Sequence, residues 1–273
     1  MSNDDALLDM PNLDEETFKF QVGNSLSQTY RIFIPKGHKF SSNSRVIVCV
    51  HGISRRSKEQ IQLLSKGARE NSTVLIAPLF DNHYHPSYQR HKAGIDGLRS
   101  DEVLNNIITD VEKRFKLRIE QFDLFGFSGG AQFSHRYALR YPKKISKLIC
   151  CAAGWYTFPD LELPFPHGLG CNHDLEFMLE TVDERLVDFL EIPITIAVGE
   201  YDKHSDSSLN RTKKVNKQQG FNRIERAVRW TNSLLEQSER LETEAQLRFI
   251  LLPKCGHSFT ECVSYGMLSS YVF

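Results

Sequence analysis

Ser128, Asp202 and His257 are the residues of this chain whose types and order could carry out acyl transfer. Ser128 is the centre of Gly126-Phe127-Ser128-Gly129-Gly130, a G-x-S-x-G pattern with an apolar run before it and a helical pattern after it. A serine at the apex of a strand-to-helix turn needs glycine neighbours, because side chains there would crowd the strand and the helix. Its hydroxyl is a poor nucleophile at neutral pH. A histidine must take its proton and later return it to the leaving group, and His257, in Gly256-His257-Ser258-Phe259, suits that task. A carboxylate must hold the imidazole in the correct tautomer and stabilise its cation, and Asp202, in Glu200-Tyr201-Asp202, is the expected acid. Asp206 on the same loop and Asp160 after the preceding strand are the competing acids.

Each of the three residues follows a segment that reads as a buried strand. Phe122 to Phe127 leads to Ser128, Ile192 to Gly199 leads to Asp202, and Leu247 to Leu252 leads to His257. Earlier runs of the same kind are Arg45 to Val50 and Thr73 to Pro78, with Lys147 to Ala153 after the serine. Continuous β-branched runs mark strands covered on both faces of a parallel sheet. Between them lie helical patterns over Glu59–Glu70, Ser100–Leu117, Gly129–Tyr141 and about Asn222–Gln237, and a terminal helix closes the chain. Phe18 to Val22 and Thr29 to Pro35 alternate around Gly23-Asn24-Ser25, which predicts an opening antiparallel hairpin. The alternation of strand and helix implies an α/β fold: a mostly parallel central sheet with helices on both faces, whose carboxyl edge carries the site. Residues 1–16 read as a polar tail and 17–273 as a single domain. Residues 154–191, rich in proline and aromatics before a helical pattern from Leu175 to Leu190, read as a small cap or lid insertion.

The order Ser, Asp, His, the His51-Gly52 pair after an early strand, and the segments Val198-Gly199-Glu200-Tyr201-Asp202 and Gly256-His257-Ser258-Phe259 together resemble the α/β-hydrolase superfamily from about Tyr30 to the carboxyl terminus. The compact layout and the His-Gly loop are most similar to its esterase and polyhydroxybutyrate-depolymerase-like branch. The resemblance implies the α/β-hydrolase fold and the triad, and leaves the substrate open. It also implies an oxyanion hole made by the N–H groups of Gly129 and Ile53. His51, Arg55, Trp155 and Tyr156 are the expected substrate-pocket residues, with Phe158 beside the two aromatics and Arg56 beside Arg55 as a second cation for an anionic substrate group. Against these stand plainer roles: cap packing for the aromatics and a solvated helix start for the arginines.

The expected activity is that of a serine esterase, cleaving a small-molecule carboxylic ester or thioester, or an amide, through an acyl-enzyme on Ser128 without a cofactor. A catalytically silent relative that binds a small ligand as a sensor or interaction module is the alternative, and a peptidase or lyase using the same triad is a third reading. Lys plus Arg and Asp plus Glu number 34 each, so the composition carries no bias toward nucleic acid or a membrane surface. Lys213, Lys214 and Lys217 read as a wet basic loop. His83, His85 and His91 suggest a metal only by their proximity, and the absence of Cys or acidic spacing favours pocket or surface histidines, so no metal is expected. An acidic amino terminus, no long apolar run and cysteines without C-x-x-C pairing predict a cytoplasmic protein. Cys49, Cys150 and Cys151 read as small buried hydrophobes. Homo-oligomerisation is left open.

Overall fold

The computed structural model describes residues 16–41, 44–170, 182–204 and 206–273. Eight strands form one sheet: β1 (Thr17–Gln21), β2 (Thr29–Phe33), β3 (Val46–Val50), β4 (Val74–Leu79), β5 (Phe122–Phe127), β6 (Ile145–Cys151), β7 (Ile194–Gly199) and β8 (Leu247–Leu252), in the order β1-β2-β4-β3-β5-β6-β7-β8. β1 and β2 form the expected hairpin, with Phe20 opposite Tyr30, and β2 joins β4 antiparallel; every other pairing is parallel. The chain runs from β3 outward to β4 and then returns to β5 on the other side of β3. That reversal opens a crevice between the loops after β3 and β5, where open α/β sheets bind ligands. The loops carrying His51 to Ser54 and Ser128 flank it.

The β-branched runs of β3 and β7 are buried throughout, because helices cover both faces. On one face lie α2 (Ser100–Phe115), α3 (Gly129–Arg140), α4 (Val182–Leu190) and α6 (Arg223–Arg240), which bring Leu104, Phe133, Leu186 and Trp230 into one apolar cluster. On the other lie α1 (Ser57–Glu70), α7 (Phe259–Ser264) and α8 (Ser269–Val272), contributing Leu64, Cys262 and Val272. The terminal helix expected from the sequence is therefore two short ones. Five cysteines of the described residues are free and buried.

Three sequence expectations need correction or limits. The basic loop contains a helix, α5 (Lys213–Gln219); tertiary contact stabilises it, since Val215 is buried and the Gln219 amide pairs with both backbone groups of Tyr156 at 2.8 Å. The presumed cap returns to the body as α4, packed against α3 and α6 beside the sheet. Its central part, like the tail over 1–15 and the start of the helical pattern from Leu175, lies outside the described residues. Among the described residues no helix is long and apolar enough to cross a membrane.

Candidate active site

β5 ends in a turn that gives Ser128 a φ of 55° and a ψ of −112°, strained values for any residue with a side chain. The Ser128 N–H donates to the Cys151 carbonyl at 2.8 Å, tying the turn to the end of β6. A Cβ at Gly130 would strike the Val50 carbonyl, so the helix can start against β3 only with glycine there. The strain is thus held by packing on both sides.

The Ser128 hydroxyl lies 3.0 Å from His257 Nε2, and His257 Nδ1 lies 2.8 Å from Asp202 Oδ2. A carboxylate only accepts, so Nδ1 carries the proton and donates to Asp202; Nε2 then accepts from the Ser128 hydroxyl. Backbone bonds from Tyr201 N–H to the Cys255 carbonyl and from Glu200 N–H to the Leu252 carbonyl, both 2.9 Å, strap the loop after β7 to the end of β8 and the loop that follows it, which brings Asp202 and His257 together. Phe127 lies over the imidazole, ring centroids 5.3 Å apart and nearly parallel, and Phe259 supports Phe127 from behind.

Asp206 and Asp160 do not meet His257. Asp160 accepts the Glu162 N–H at 2.8 Å. Asp206 accepts from the Ser208 hydroxyl at 2.6 Å and from the Arg223 guanidinium at 2.8 and 3.2 Å. Partial burial works to raise the Asp206 carboxyl, but the Arg223 and Ser208 hydrogen bonds prevail and hold it far below the ordinary carboxylate range. Arg223 also donates to Asp202 Oδ1 at 3.0 Å, and both side chains of that pair are almost fully buried. Nothing in the sequence marked Arg223, which reads there as one more arginine near a helix start.

Gly129 begins α3, where the first N–H groups have no helical acceptor. A Cβ on Gly129 would stand 3.3 Å from the Ile53 nitrogen, so the two candidate oxyanion donors lie on facing loops in close approach. The Ile53 loop is held from below. The His51 ring is buried, donates from Nδ1 to the Gly52 carbonyl at 2.8 Å and accepts the Phe80 N–H on Nε2 at 3.0 Å. Burial pushes its pKa down to about 4, so it is a neutral brace. Tyr88 donates to the His51 carbonyl at 2.6 Å.

A cleft of about 320 Å³ opens at Ser128, its walls formed by Ile53, Arg56, Phe127, Ser208 and His257 among others. His51 reaches its wall; Arg55, Trp155 and Tyr156 do not. Arg55 turns away, donating to the Phe80 carbonyl and to Asn82 Oδ1 at 2.9 Å and lying over the Tyr88 ring, so Arg56 is the arginine at the cleft. Trp155 is buried with the guanidiniums of Arg136 and Arg90 against its ring, and Tyr156 is stacked on Trp230 with centroids 4.4 Å apart. Phe158 likewise packs on the core. Aromatic side chains just after a buried strand enter the core when a neighbouring helix offers apolar surface, here α6. No described residue of 154–191 lines the cleft. His83 is exposed, His85 faces Asp96 at 3.6 Å and His91 meets the Phe133 carbonyl at 3.1 Å, so the three diverge. Among the described residues no cluster of His, Cys, Asp or Glu could hold a metal ion.

The sheet order, the strained serine turn after β5, and Asp202 and His257 after β7 and β8 define a class of architecture. Residues 33–259 match the family model described as the alpha/beta hydrolase fold, and the chain belongs to that family. No curated protein matches it in sequence. Among solved structures it is similar to a poly(aspartic acid) hydrolase-1 from Sphingomonas sp. KT-1, with TM-score 0.77 and 21% identity over 94% of this chain and 96% of that one. It is also similar to LpqC, a poly(3-hydroxybutyrate) depolymerase from Bordetella parapertussis, with TM-score 0.74 and 20% identity over 94% and 88%. A third is FphF, a fluorophosphonate-binding serine hydrolase of Staphylococcus aureus, with TM-score 0.56 and 13% identity over 94% and 96%. These likenesses are of fold.

Proposed function

We propose that the protein is a serine hydrolase that cleaves a carboxylic ester or thioester through an acyl-enzyme on Ser128. The observation that carries this reading is the hydrogen-bond chain from the Ser128 hydroxyl through His257 to Asp202, 3.0 and 2.8 Å long, opening on a cleft. His257 Nε2 takes the hydroxyl proton as Ser128 attacks the carbonyl carbon, and Asp202 stabilises the imidazolium. The tetrahedral oxyanion is held by the N–H groups of Ile53 and Gly129. The imidazolium then protonates the leaving alcohol or thiol. Water, deprotonated by the same histidine, releases the acid and restores Ser128. None of these steps calls for a metal or an organic cofactor.

A fluorophosphonate probe tests the reading. The wild-type protein is expected to be labelled at Ser128, and Ser128→Ala to lose labelling together with roughly 10⁶-fold in kcat on an activated ester. Labelling that persists in Ser128→Ala would sink the assignment.

A further inference from the structure

The most unusual feature near the reacting groups is a buried cation on the far side of the acid. Arg223, the first residue of α6, is about 1% exposed and sends Nη1 to Asp202 Oδ1 at 3.0 Å, on the carboxylate oxygen that His257 does not use. The same nitrogen reaches Asp206 Oδ2 at 2.8 Å, while Nη2 reaches Asp206 Oδ1 at 3.2 Å and the Ser208 hydroxyl at 2.7 Å. Ser208 is a wall of the cleft. One cation therefore serves two carboxylates, and the network runs from the cleft wall to the group behind the base.

On the reading of Ser128, Asp202 and His257 as a catalytic triad, we infer that Arg223 is a positioning residue that fixes the Asp202 carboxylate and, balanced by Asp206, sets the charge His257 feels. Two physical needs meet here. A carboxylate free to rotate would present either oxygen to Nδ1, and a misplacement of about 1 Å in such a constellation costs on the order of 100-fold in rate. Arg223 occupies Oδ1 and leaves Oδ2 as the acceptor. An arginine paired with Asp202 alone would, however, cancel the charge that stabilises the imidazolium. The fork of Asp206 takes up that positive charge, so the group around His257 keeps a net negative charge.

Across the cleft from His257, Arg56 and Glu59 face each other at 3.8 Å as opposite charges, and the other charged and titratable groups around this network do not compensate for it. Tyr156, from the segment after β6, and Cys262, on α7, both lie near Asp202 and are neutral at working pH. Burial pushes the Tyr156 phenol up, and a bond to Cys151 together with burial pushes the Cys262 thiol up. Arg226, one turn along α6, is engaged by the carbonyls of Gly154, Gly220 and Asn210. Glu261 on α7 accepts the Gly256 N–H at 3.1 Å, and Glu200 accepts the Lys254 N–H at 3.0 Å. Cys255, beside the base, is likewise pushed up by burial to about 12.

The test is the pH profile of fluorophosphonate labelling, which reads the base without a known substrate. Arg223→Gln removes a positive charge, so the acidic limb is expected to move up by about one unit and the plateau rate to fall about 10- to 100-fold. Asp206→Asn removes a negative charge, so its acidic limb moves down, with a smaller loss of plateau rate. Arg223→Lys keeps the charge without the fork: the limb stays near wild type while the plateau stays lowered. A purely structural role would lower rates without opposite shifts. If Arg223→Gln does not fold, Asp206→Asn and Arg223→Lys decide the matter. An unmoved limb in Asp206→Asn, or a Lys variant whose limb shifts as in Gln, overturns the inference. Wild-type protein that no probe labels would instead overturn the serine-hydrolase reading itself.

Discussion

Asp202 is one of three candidate acids, and position rather than chemical type separates them. Only Asp202 both meets His257 Nδ1, at 2.8 Å, and has its second oxygen held by a buried guanidinium. Asp206 directs its oxygens to Ser208 and Arg223, and Asp160 caps its own turn. Asp202→Asn keeps the shape but offers an amide N–H that favours the wrong imidazole tautomer, so kcat is expected to fall about 10⁴-fold with KM little changed. Asp160→Asn should leave both constants near wild type. Steady-state kinetics on an activated ester checks the pair, and equal losses would mean that the acid is misassigned.

The long segment between β4 and α2 is an element in its own right although it contains only one short 3-10 turn, Tyr88–Arg90. Phe80 and Tyr88 stack 5.1 Å apart, Phe133 of α3 closes on Phe80 at 4.9 Å, and the Ser100 hydroxyl donates to the Tyr88 carbonyl at 2.7 Å. This segment supports the Ile53 loop, because Phe80 N–H and the Tyr88 hydroxyl both bond to His51. Tyr88→Phe leaves the His51 carbonyl without that donor in a buried place, at an expected cost of about 1–3 kcal/mol in stability. Since the Ile53 N–H rides on the same loop, kcat should fall as well. Urea denaturation and ester kinetics on the same variant read both effects, and unchanged stability would show that the hydroxyl does not brace the loop. α6 lies behind Asp202, with Arg223 at its start bonded to that carboxylate and Trp230 further on donating to the Thr157 carbonyl at 2.9 Å.

At the scale of the whole molecule, several histidines are buried as neutral rings. His51 and His91 are pushed down to about 4 by burial, and burial also lowers His135 far below its ordinary value. In the unfolded chain each titrates near 6.5, so between about pH 6.5 and 4 the unfolded state binds more protons than the folded one. Their contribution to stability is full above about pH 6.5 and is lost as pH falls toward 4, at up to about 1.4 kcal/mol per pH unit for each ring. Unfolding free energies at pH 7.0, 5.5 and 4.5, taken under one salt condition, are expected to fall steeply, and His91→Gln should flatten the slope. A flat profile in the wild type would contradict the burial of neutral histidines.

The sequence by itself determined what short-range sterics and periodicity encode. The β-branched runs specified β3 and β7, the glycines around Ser128 specified the strained turn, and the order of Ser128, Asp202 and His257, each after a strand-like run, specified the fold class. The runs and the turn depend on neighbours a few residues away, and the order of the three residues is a property of the chain itself, so all can be read without coordinates. What only the tertiary structure decided lies in contacts between residues far apart in the chain. Ser128 and His257 are separated by 129 positions, yet their side chains meet because β5 and β8 end on the same edge of one sheet. Arg55 and Trp155, expected at the pocket, were drawn instead to carbonyls and to stacking arginines that no local pattern announces. Arg223 had no signal at all, since the direction of a long side chain is set by the charge and space it finds after the helices pack. The helix over Lys213–Gln219 formed for the same reason, as Gln219 found the backbone of Tyr156.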